Sequence, residues 1–402
     1  MADNVALQAF QFFSPQKIVF GWRKRAELSQ CAQPLGRRAW LVCGSRTLEQ
    51  QGVVNEIRDQ LRSVGIASEV IATIRREPEV RDVDETTSRL TEAGVREGDF
   101  VLAVGGGAAI DLGKAVAAMA ANRQSPTVRD YLEGVGRGLK IVQPPLPIMA
   151  VPSTAGTGSE ATKNAVISCD DPPFKKSLRS DLMVPKVVLV DPELTVSVPP
   201  ETTAHTGMDA ITQLIESYLS RRAQPIPQAL ALKGLEGTGP AIVEAVENGT
   251  SRKARERMAL AALLSGMALA NSGLGMAHGV AAALGVHARV PHGLACAVML
   301  PVAMRVNRPV RRVEMARLGT LFTGEPWSAR LTSADQDRLA DAAVTHIVEL
   351  CRRLKIPQRL SDLNVTADQL PAIVSSSRGN SMNGNPRQLS DEELLQILEE
   401  ML

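Results

Sequence analysis

The stretch FVLAVGGGAAIDLGKAVA, residues 100–117, decides the fold of this chain. It begins as an unbroken apolar run, passes through three consecutive glycines and continues as an Ala-rich segment of helical composition. An apolar strand that leads directly into a helix is typical of a parallel sheet covered by helices on both faces. The stretch therefore predicts one strand–helix unit of an α/β domain.

The alternation of strand and helix runs through the first half of the chain and stops in the second. Strands are predicted at residues 17–21, 38–44, 67–72, 100–107, 146–153 and 187–194. After Pro199-Pro200, helices are predicted at residues 201–220, 227–246, 251–270, 274–286, 293–306 and 335–354. We therefore predict an α/β domain over residues 1–196, with helices on both faces of a parallel sheet, and an all-α domain over residues 197–402.

The composition excludes several classes of partner. The chain has 402 residues, a net charge of +2 and 3% aromatic residues, so neither nucleic acid nor a membrane is expected as a partner. Its five cysteines are scattered without a CxxC pair, which fits a reducing compartment. The N-terminal residues carry no basic segment before an apolar run, so no signal peptide is expected. These features predict a cytoplasmic protein.

The three glycines at 105–107 predict a phosphate-binding turn. Glycines let the backbone approach a ligand closely, and the start of the following helix presents free N–H groups to an anion. A second small-residue loop, PSTAGTGSEAT (152–162), follows another predicted strand. Ligands of α/β sheets bind beyond the carboxyl ends of the strands, so the turn and the loop together predict a dinucleotide site. The candidate cofactor-binding residues are Gly105, Gly106, Gly107, Asp111, Lys114, Ser153, Thr154 and Thr157.

An alternative explanation of the glycine turn needs no ligand. The turn would then be a tight connection between strand and helix, and Asp111 and Lys114 would form a surface ion pair one helical turn apart.

The segment TGMDAITQLIESYL (206–219) and two later histidines suggest a metal site. Asp209 and Gln213 stand one helical turn apart, and the histidines lie in MAHGV and VPHGL. A carboxylate together with the imidazoles of His278 and His292 suits Zn²⁺ or Fe²⁺. The alternative is a surface amphipathic helix, whose apolar stripe leaves the opposite face in solvent. The residues on that face are His205, Asp209, Gln213 and Glu216.

The chain resembles the iron-containing (group III) alcohol dehydrogenase family over nearly its whole length. The matching segments, in family order, are KIVFG, GGGAAIDLGKA, VPSTAGTGSEAT, TGMDAITQLIESY, GLGMAHGVAAALGVHARVPHG and GNPRQLSDEEL (384–394). The resemblance implies a dinucleotide-binding α/β domain, a helical domain and a cleft between them. It also implies an enzyme that interconverts a small alcohol and its aldehyde or ketone by NAD(P)-linked hydride transfer.

The resemblance implies a metal site with two departures from the family pattern. The family's ligands are an Asp, a His four residues later and two further His. Asp209, His278 and His292 match three of them, whereas Gln213 stands in the place of the second. Ala282 stands where a further family His is frequent. Related glycerol dehydrogenases are similar in using Asp-His-His, so we expect Fe²⁺ or Zn²⁺, with Gln213 as a weak fourth ligand or as the holder of a water molecule.

The segment CGSR (43–46) bears on the choice of cofactor. Relatives that prefer NAD often carry an acidic residue just after this strand, where it binds the ribose 2′-OH. Here Gly44 and Ser45 follow the strand, and Arg46 offers a charge for a 2′-phosphate, so tolerance of NADP(H) is favoured without excluding NAD(H). Lys175 matches a family lysine that approaches the cofactor, and a solvated loop lysine is its alternative.

Three other interpretations of the chain stay open from the sequence. A metal-free reductase resembling maleylacetate reductase would explain Gln213. A cyclase resembling dehydroquinate synthase would need basic residues in the helical domain, and residues 259–304 contain only Arg289. The third is an inert member of the family that acts as a binding protein.

The remaining expectations concern a proton relay and the partners. His287 either replaces the missing relay histidine or is a surface residue. A small alcohol or carbonyl compound is expected as the substrate, and a homodimer or higher homo-oligomer as the assembly.

Overall fold

The computed structural model describes residues 9–44 and 46–402. Within them the strands are β1 (Lys17–Phe20), β2 (Arg38–Gly44), β3 (Ala67–Ile74), β4 (Asp99–Gly105), β5 (Ile148–Pro152), β6 (Asn164–Asp170), β7 (Pro173–Arg179) and β8 (Val187–Val190). The helices of the first half are α1 (Leu28–Ala32), α2 (Arg46–Gln50), α3 (Val53–Ser63), α4 (Val80–Glu92) and α5 (Gly107–Ala121). The predicted class, a parallel sheet with helices followed by a helical half, is confirmed.

Six strands form one parallel sheet in the order β1-β8-β5-β4-β2-β3. Apolar clusters cover both of its faces, one around Trp40 and Leu112 and the other around Leu41 and Phe100. From β2 the chain continues to β3 on one side of β2 and then crosses over to β4 on the other side. The direction of winding therefore changes between β2 and β4. Such a switch point opens a crevice at the carboxyl ends of the strands, where α/β proteins bind ligands.

β6 and β7 form an antiparallel hairpin outside the main sheet, which the sequence analysis did not predict. Alternate residues of β6 are buried, including Ala165 and Ile167, while their neighbours remain partly exposed. The hairpin packs against α5 and α4 on one side and reaches the helical half on the other. It therefore forms part of the wall between the two halves of the chain.

The second half is helical. Its helices are α6 (Pro200–Leu219), α7 (Pro225–Leu235), α8 (Thr238–Glu247), α9 (Arg252–Ser272), α10 (Met276–Ala288), α11 (His292–Asn307), α12 (Arg312–Thr323), α13 (Ser333–Arg353), α14 (Leu370–Ser376) and α15 (Asp391–Glu399). α6 lies at the centre and packs against α7, α8, α9 and α11. The single helix predicted over residues 227–246 is two helices, because Gly237 interrupts it with a left-handed φ of +66°.

The central position of α6 corrects the expectation of a solvated polar face. Asp209, Gln213 and Glu216 are buried, with exposures of 2, 3 and 5%. A buried carboxylate or amide needs hydrogen-bonding or ionic partners inside the protein. The polar side of α6 therefore forms part of an internal site rather than a solvent-exposed surface.

Among the described residues, no single helix is long and apolar enough to cross a membrane. The pair α9 and α10 meets the length and composition criteria only when the two are taken together, and they are bent by 101° at the break between them.

Candidate active site

A cleft of about 480 Å³ lies between the carboxyl edge of the sheet and the helical half. Its volume is in the range of small-molecule sites in proteins. Predicted site residues from both halves line it, namely Gly107, Asp111, Thr157, Lys175, Asp209, Gln213, His278 and His292. The cleft thus brings the predicted metal residues and part of the predicted cofactor residues to one space.

The glycine turn lies at the switch point of the sheet. A Cβ atom on Gly105 would stand 2.8 Å from the backbone N of Gly44, and Gly105 has a φ of +155°. A Cβ atom on Gly107, the first residue of α5, would stand 2.6 Å from Thr157 Oγ1. Only glycine fits these two contacts. The ends of β2 and β4 and the loop after β5 therefore meet around the N-terminus of α5, which is where an anion would bind.

The loop after β5 is attached to the same turn. The Ser153 N–H donates to Gly105 O at 2.9 Å, and Thr154 lies beside Gly106. These contacts place the predicted residues of both loops side by side. Ser45 lies outside the described residues, and the side chain of Arg46 does as well.

Gly106 offers a clean test of the cofactor site. Its backbone is extended, and an added Cβ would meet Thr154 no closer than 3.3 Å, so Gly106→Ala should fold. We expect the added methyl to hold a pyrophosphate away from the backbone and to weaken nucleotide binding by roughly tenfold, or about 1.4 kcal/mol. Calorimetric titration with NAD⁺ and NADP⁺ measures this change.

The matched control is Gly285→Ala. Gly285 is helical, and its added Cβ would meet only Val290 O, at 3.7 Å. Unchanged nucleotide affinity in Gly106→Ala would show that the dinucleotide binds elsewhere.

Lys114 departs from the prediction of direct cofactor contact. Its side chain is fully buried, and its ammonium donates to Ser159 O and Thr162 Oγ1 at 2.8 Å each and to Asn164 O. An ammonium has three donors, so these partners use all of them. Lys114 is therefore a clamp that holds the loop after β5 and the start of β6 to α5.

Asp111 forms the second half of this clamp. Its carboxylate accepts from Ser159 Oγ and, at 3.0 Å, from the Val166 N–H, and it lies 3.2 Å from Lys114 Nζ. The expected surface ion pair between Asp111 and Lys114 is thus a buried one. Asp111 also reaches the lining of the cleft, which keeps it in the neighbourhood of the predicted dinucleotide.

Four side chains converge at the helical end of the cleft. The ligand atoms of Asp209, His278, His292 and Cys296 all lie within 4.8 Å of one another. His278 Nε2 is 3.2 Å and His292 Nε2 is 3.9 Å from Asp209 Oδ1. Three of the four residues predicted as metal ligands are therefore brought together, and a cysteine joins them that sequence reasoning missed.

Glu216 fixes His278 in place. Its buried carboxylate accepts from His278 Nδ1 at 2.7 Å and from the N–H groups of Gly275 and Ala277 at the start of α10. A carboxylate at a helix N-terminus is stabilised by the free N–H groups there. Because Nδ1 is bound to Glu216, the other ring nitrogen, Nε2, faces Asp209. A carboxylate behind a metal-binding histidine commonly sets the ring in this way.

Gly293 explains the position of the second histidine, His292. His292 is the first residue of α11, and a Cβ atom on the following residue, Gly293, would stand 2.4 Å from His205 O of α6. Only glycine permits this close approach of α11 to α6. His205 takes part through its backbone, and this packing brings His292 beside Asp209.

The orientation of Gln213 differs from the ligand role expected for it. Its amide oxygen accepts from Ser265 Oγ at 2.6 Å. Burial opposes ionisation of Asp209, but the hydrogen bond with His278 and the neighbouring imidazoles lower its pKa, and Gln213 contributes least to this shift. Gln213 therefore links α6 to α9 through Ser265.

The pKa values of the two histidines of the cluster shift in opposite directions. Burial opposes protonation of His278, but the neighbouring Cys296 and the hydrogen bonds to Asp209 and Glu216 raise its pKa well above the usual range. Burial, together with the nearby charge of Lys175, lowers the pKa of His292 to about 4. Without a metal, the raised pKa of His278 favours a positive charge on the ring that faces Asp209. A divalent cation would replace it, since ligating imidazoles are neutral.

Lys175 lines the cleft, and its ammonium group is already engaged in an ion pair. Its ammonium pairs with Glu77, and its side chain is 11% exposed. This differs from the solvated loop lysine considered as its alternative.

His287, considered as a relay residue, bonds Ser376 Oγ at 2.7 Å.

The comparisons with known proteins agree with this geometry. The sequence model of iron-containing alcohol dehydrogenase matches residues 15–192, and the model of the C-terminal part of the Fe-containing alcohol dehydrogenase family matches residues 203–402. The chain belongs to the iron-containing alcohol dehydrogenase family. Membership confirms the prediction of an enzyme that interconverts an alcohol and its aldehyde or ketone.

Relatives of the iron-containing alcohol dehydrogenase family match over nearly their full length. The probable alcohol dehydrogenase EutG of Escherichia coli (strain K12) is 33% identical over 395 residues, which cover 98% of this chain and 95% of the relative. The solved structure of a 1,3-propanediol oxidoreductase is 30% identical with a TM-score of 0.88, covering 98% and 100% of the two chains. A sulfoacetaldehyde reductase from Bifidobacterium kashiwanohense, solved with NAD⁺, is 29% identical with a TM-score of 0.85, covering 98% and 99%.

Proposed function

We propose that this alcohol dehydrogenase binds NAD(P) at the glycine turn and a divalent metal, Fe²⁺ or Zn²⁺, at Asp209, His278 and His292, and that the alcohol or carbonyl substrate lies between them. The convergence of these three side chains in the cleft that begins at the glycine turn carries the proposal. We further propose residues 1–196 as the nucleotide domain, residues 197–402 as the metal domain, a cytoplasmic location and a homodimer or higher homo-oligomer.

The residues of the cluster fit a divalent metal. Carboxylate oxygen and imidazole nitrogen bind Zn²⁺ or Fe²⁺ at about 2.0–2.2 Å, so tetrahedral ligand atoms stand about 3.3–3.6 Å apart. The distances of 3.2 and 3.9 Å between Asp209 and the two histidines are close to this spacing. A metal held there would act as a Lewis acid and polarise the oxygen of the substrate.

The other residues of the site position these groups. Glu216 orients His278, and Gln213 links α6, which carries Asp209, to Ser265 of α9. Asp111 and Lys114 hold the loop that carries Thr157 against the glycine turn. The side chains at both ends of the cleft are thereby held in position before a ligand binds. This lowers the entropic cost of bringing substrate and cofactor together.

Metal analysis combined with turnover tests the proposed function. The purified protein should contain one equivalent of Fe²⁺ or Zn²⁺ and should oxidise small alcohols with NAD⁺ or NADP⁺, and a chelator should remove both the metal and the activity. Full activity in metal-free protein would favour a metal-free reductase. Bound metal without turnover on any alcohol or aldehyde would favour the inert binding protein.

The choice between NAD(H) and NADP(H) rests on the residue that follows β2. Ser45→Asp would place a carboxylate where the 2′-phosphate of NADP is expected. We expect kcat/KM with NADP(H) to fall by at least tenfold relative to NAD(H), because the added charge repels the phosphate. The measurement is the ratio of kcat/KM for the two cofactors.

Ser63→Asp is the control for added charge. Ser63 is an exposed residue at the end of α3, so its substitution should leave the ratio of kcat/KM for the two cofactors unchanged. An equal fall with both cofactors in Ser45→Asp would contradict the assignment of residue 45.

A further inference from the structure

We propose that the thiolate of Cys296 is the fourth protein ligand of the metal, in place of the family histidine that Gln213 replaces. This inference rests on the proposed metal site at Asp209, His278 and His292. Cys296 stands one helical turn after His292 on α11, and its Sγ lies 3.7 Å from His292 Nε2.

The geometry of Cys296 fits coordination. Sγ lies within 4.8 Å of the ligand atoms of both Asp209 and His278. A thiolate binds Zn²⁺ at about 2.3 Å, so its distance to a neighbouring tetrahedral ligand is about 3.6 Å. The distance of 3.7 Å to His292 matches this value. The longest edge between donors is at most 4.8 Å, so a contraction of no more than about 1.5 Å would bring all four donors around one ion.

The position of Cys296 leaves the cleft open. Asp209, His278 and His292 line the cleft, whereas Cys296 lies behind them and has no exposed surface. A sulfur ligand would therefore bind the ion from the protein side. The side that faces the cleft remains free for the oxygen of the substrate, which would bind as a fifth ligand, since catalytic zinc sites can expand to five-coordinate.

Gln213 is a weak competitor for the place of the fourth ligand. Its amide oxygen already accepts a hydrogen bond from Ser265, and a carbonyl oxygen suits Zn²⁺ or Fe²⁺ less well than the imidazole that the family pattern has one turn after Asp209. A thiolate carries a negative charge, which an imidazole does not. With Asp209 and Cys296 both bound, the protein charges would balance a divalent ion, and the soft sulfur would favour Zn²⁺ over Mn²⁺.

Spectroscopy of the metal-loaded full-length protein tests the proposal directly. Co²⁺-substituted wild type should show a sulfur-to-cobalt charge-transfer band in addition to the cobalt d–d bands. X-ray absorption of the Zn²⁺ form should show one sulfur scatterer at about 2.3 Å. Neither measurement depends on a variant that must fold.

Two substitutions of Cys296 then identify the residue that supplies the sulfur ligand. Cys296→Ser and Cys296→Ala should lose the charge-transfer band, weaken Zn²⁺ binding by at least the 10–100-fold that loss of a supporting group costs, and reduce the preference for Zn²⁺ over Mn²⁺. Cys351→Ser is the matched control, because Cys351 is another fully buried thiol of the helical half. It should keep the band and the affinity.

Two outcomes would overturn the proposal, and they are distinguishable. Bound Co²⁺ with d–d bands but without a sulfur band would remove Cys296 from the ligand set and leave the metal site of the proposed function intact. Failure of the wild type to bind Co²⁺ or Zn²⁺ at all would overturn both the ligand and the site.

Discussion

His278→Ala should leave a folded protein that holds no metal and has almost no activity. His278 supplies one of the three donors that line the cleft, and its loss also leaves Glu216 without the imidazole it orients. Lewis-acid polarisation of a substrate oxygen contributes several kcal/mol, so we expect kcat/KM to fall by roughly three orders of magnitude. The measurements are metal content after dialysis against a graded series of chelators and turnover with added metal.

His287→Ala is the matched control because His287 lies on the same helix, α10, and bonds Ser376 rather than the cluster. It should retain metal. If the wild type and His278→Ala are equally active without metal, the chain has no metal mechanism and the metal-free reductase becomes the better explanation.

Glu216→Gln should weaken metal binding without removing a ligand. The carboxylate of Glu216 accepts from His278 Nδ1 and from three backbone N–H groups at the α10 N-terminus. An amide keeps the shape but turns an NH₂ group toward at least one of these donors. We expect metal affinity to fall by about 10–100-fold, the range seen when groups behind metal ligands are changed, and stability to fall by about 1–3 kcal/mol.

Glu201→Gln is the control for the second prediction. Glu201 lies at the exposed start of the same helix, α6, so its substitution removes an equal charge outside the site. Metal titration and urea unfolding separate the two effects. An unchanged metal affinity in Glu216→Gln would show that the orientation of His278 does not depend on this carboxylate.

The sequence predicted the parts of the site that depend on residue type and order. The pattern of Asp209, His278 and His292 predicts metal ligands because carboxylate and imidazole are metal donors, and the structure brings them within reach of one ion. The glycines at 105–107 predict a phosphate site because a strand that ends in glycines before a helix accepts a phosphate. These features are local, so a short segment is enough to reveal them.

The sequence did not predict which polar residues are buried. A helix with one apolar stripe has the same pattern whether its polar face meets water or an internal site, so the sequence leaves a surface helix as the alternative for α6. A surface ion pair is likewise the alternative for Lys114 and Asp111, although loop carbonyls surround the ammonium in the structure. Burial of a polar side chain depends on what the rest of the chain places against it, and periodicity does not carry that information.

Cys296 is the member of the cluster that the sequence does not reveal as a ligand. It follows His292 by four residues in a predicted helix, the same spacing that drew attention to Asp209 and Gln213. A lone cysteine in an apolar helix is usually a packing residue. Its role only becomes visible when α6 and α10 bring their own donors to the same point.

The four donors of the cluster all come from residues 209–296, within the helical half, whereas the glycine turn belongs to the sheet. Entry and departure of the dinucleotide can therefore separate the two walls of the cleft without pulling any donor from the ion. Metal exchange would require α6, α10 and α11 to move apart, and these helices share one apolar core. We expect the lifetime of the bound ion to be set by the stability of that core and to span many turnovers.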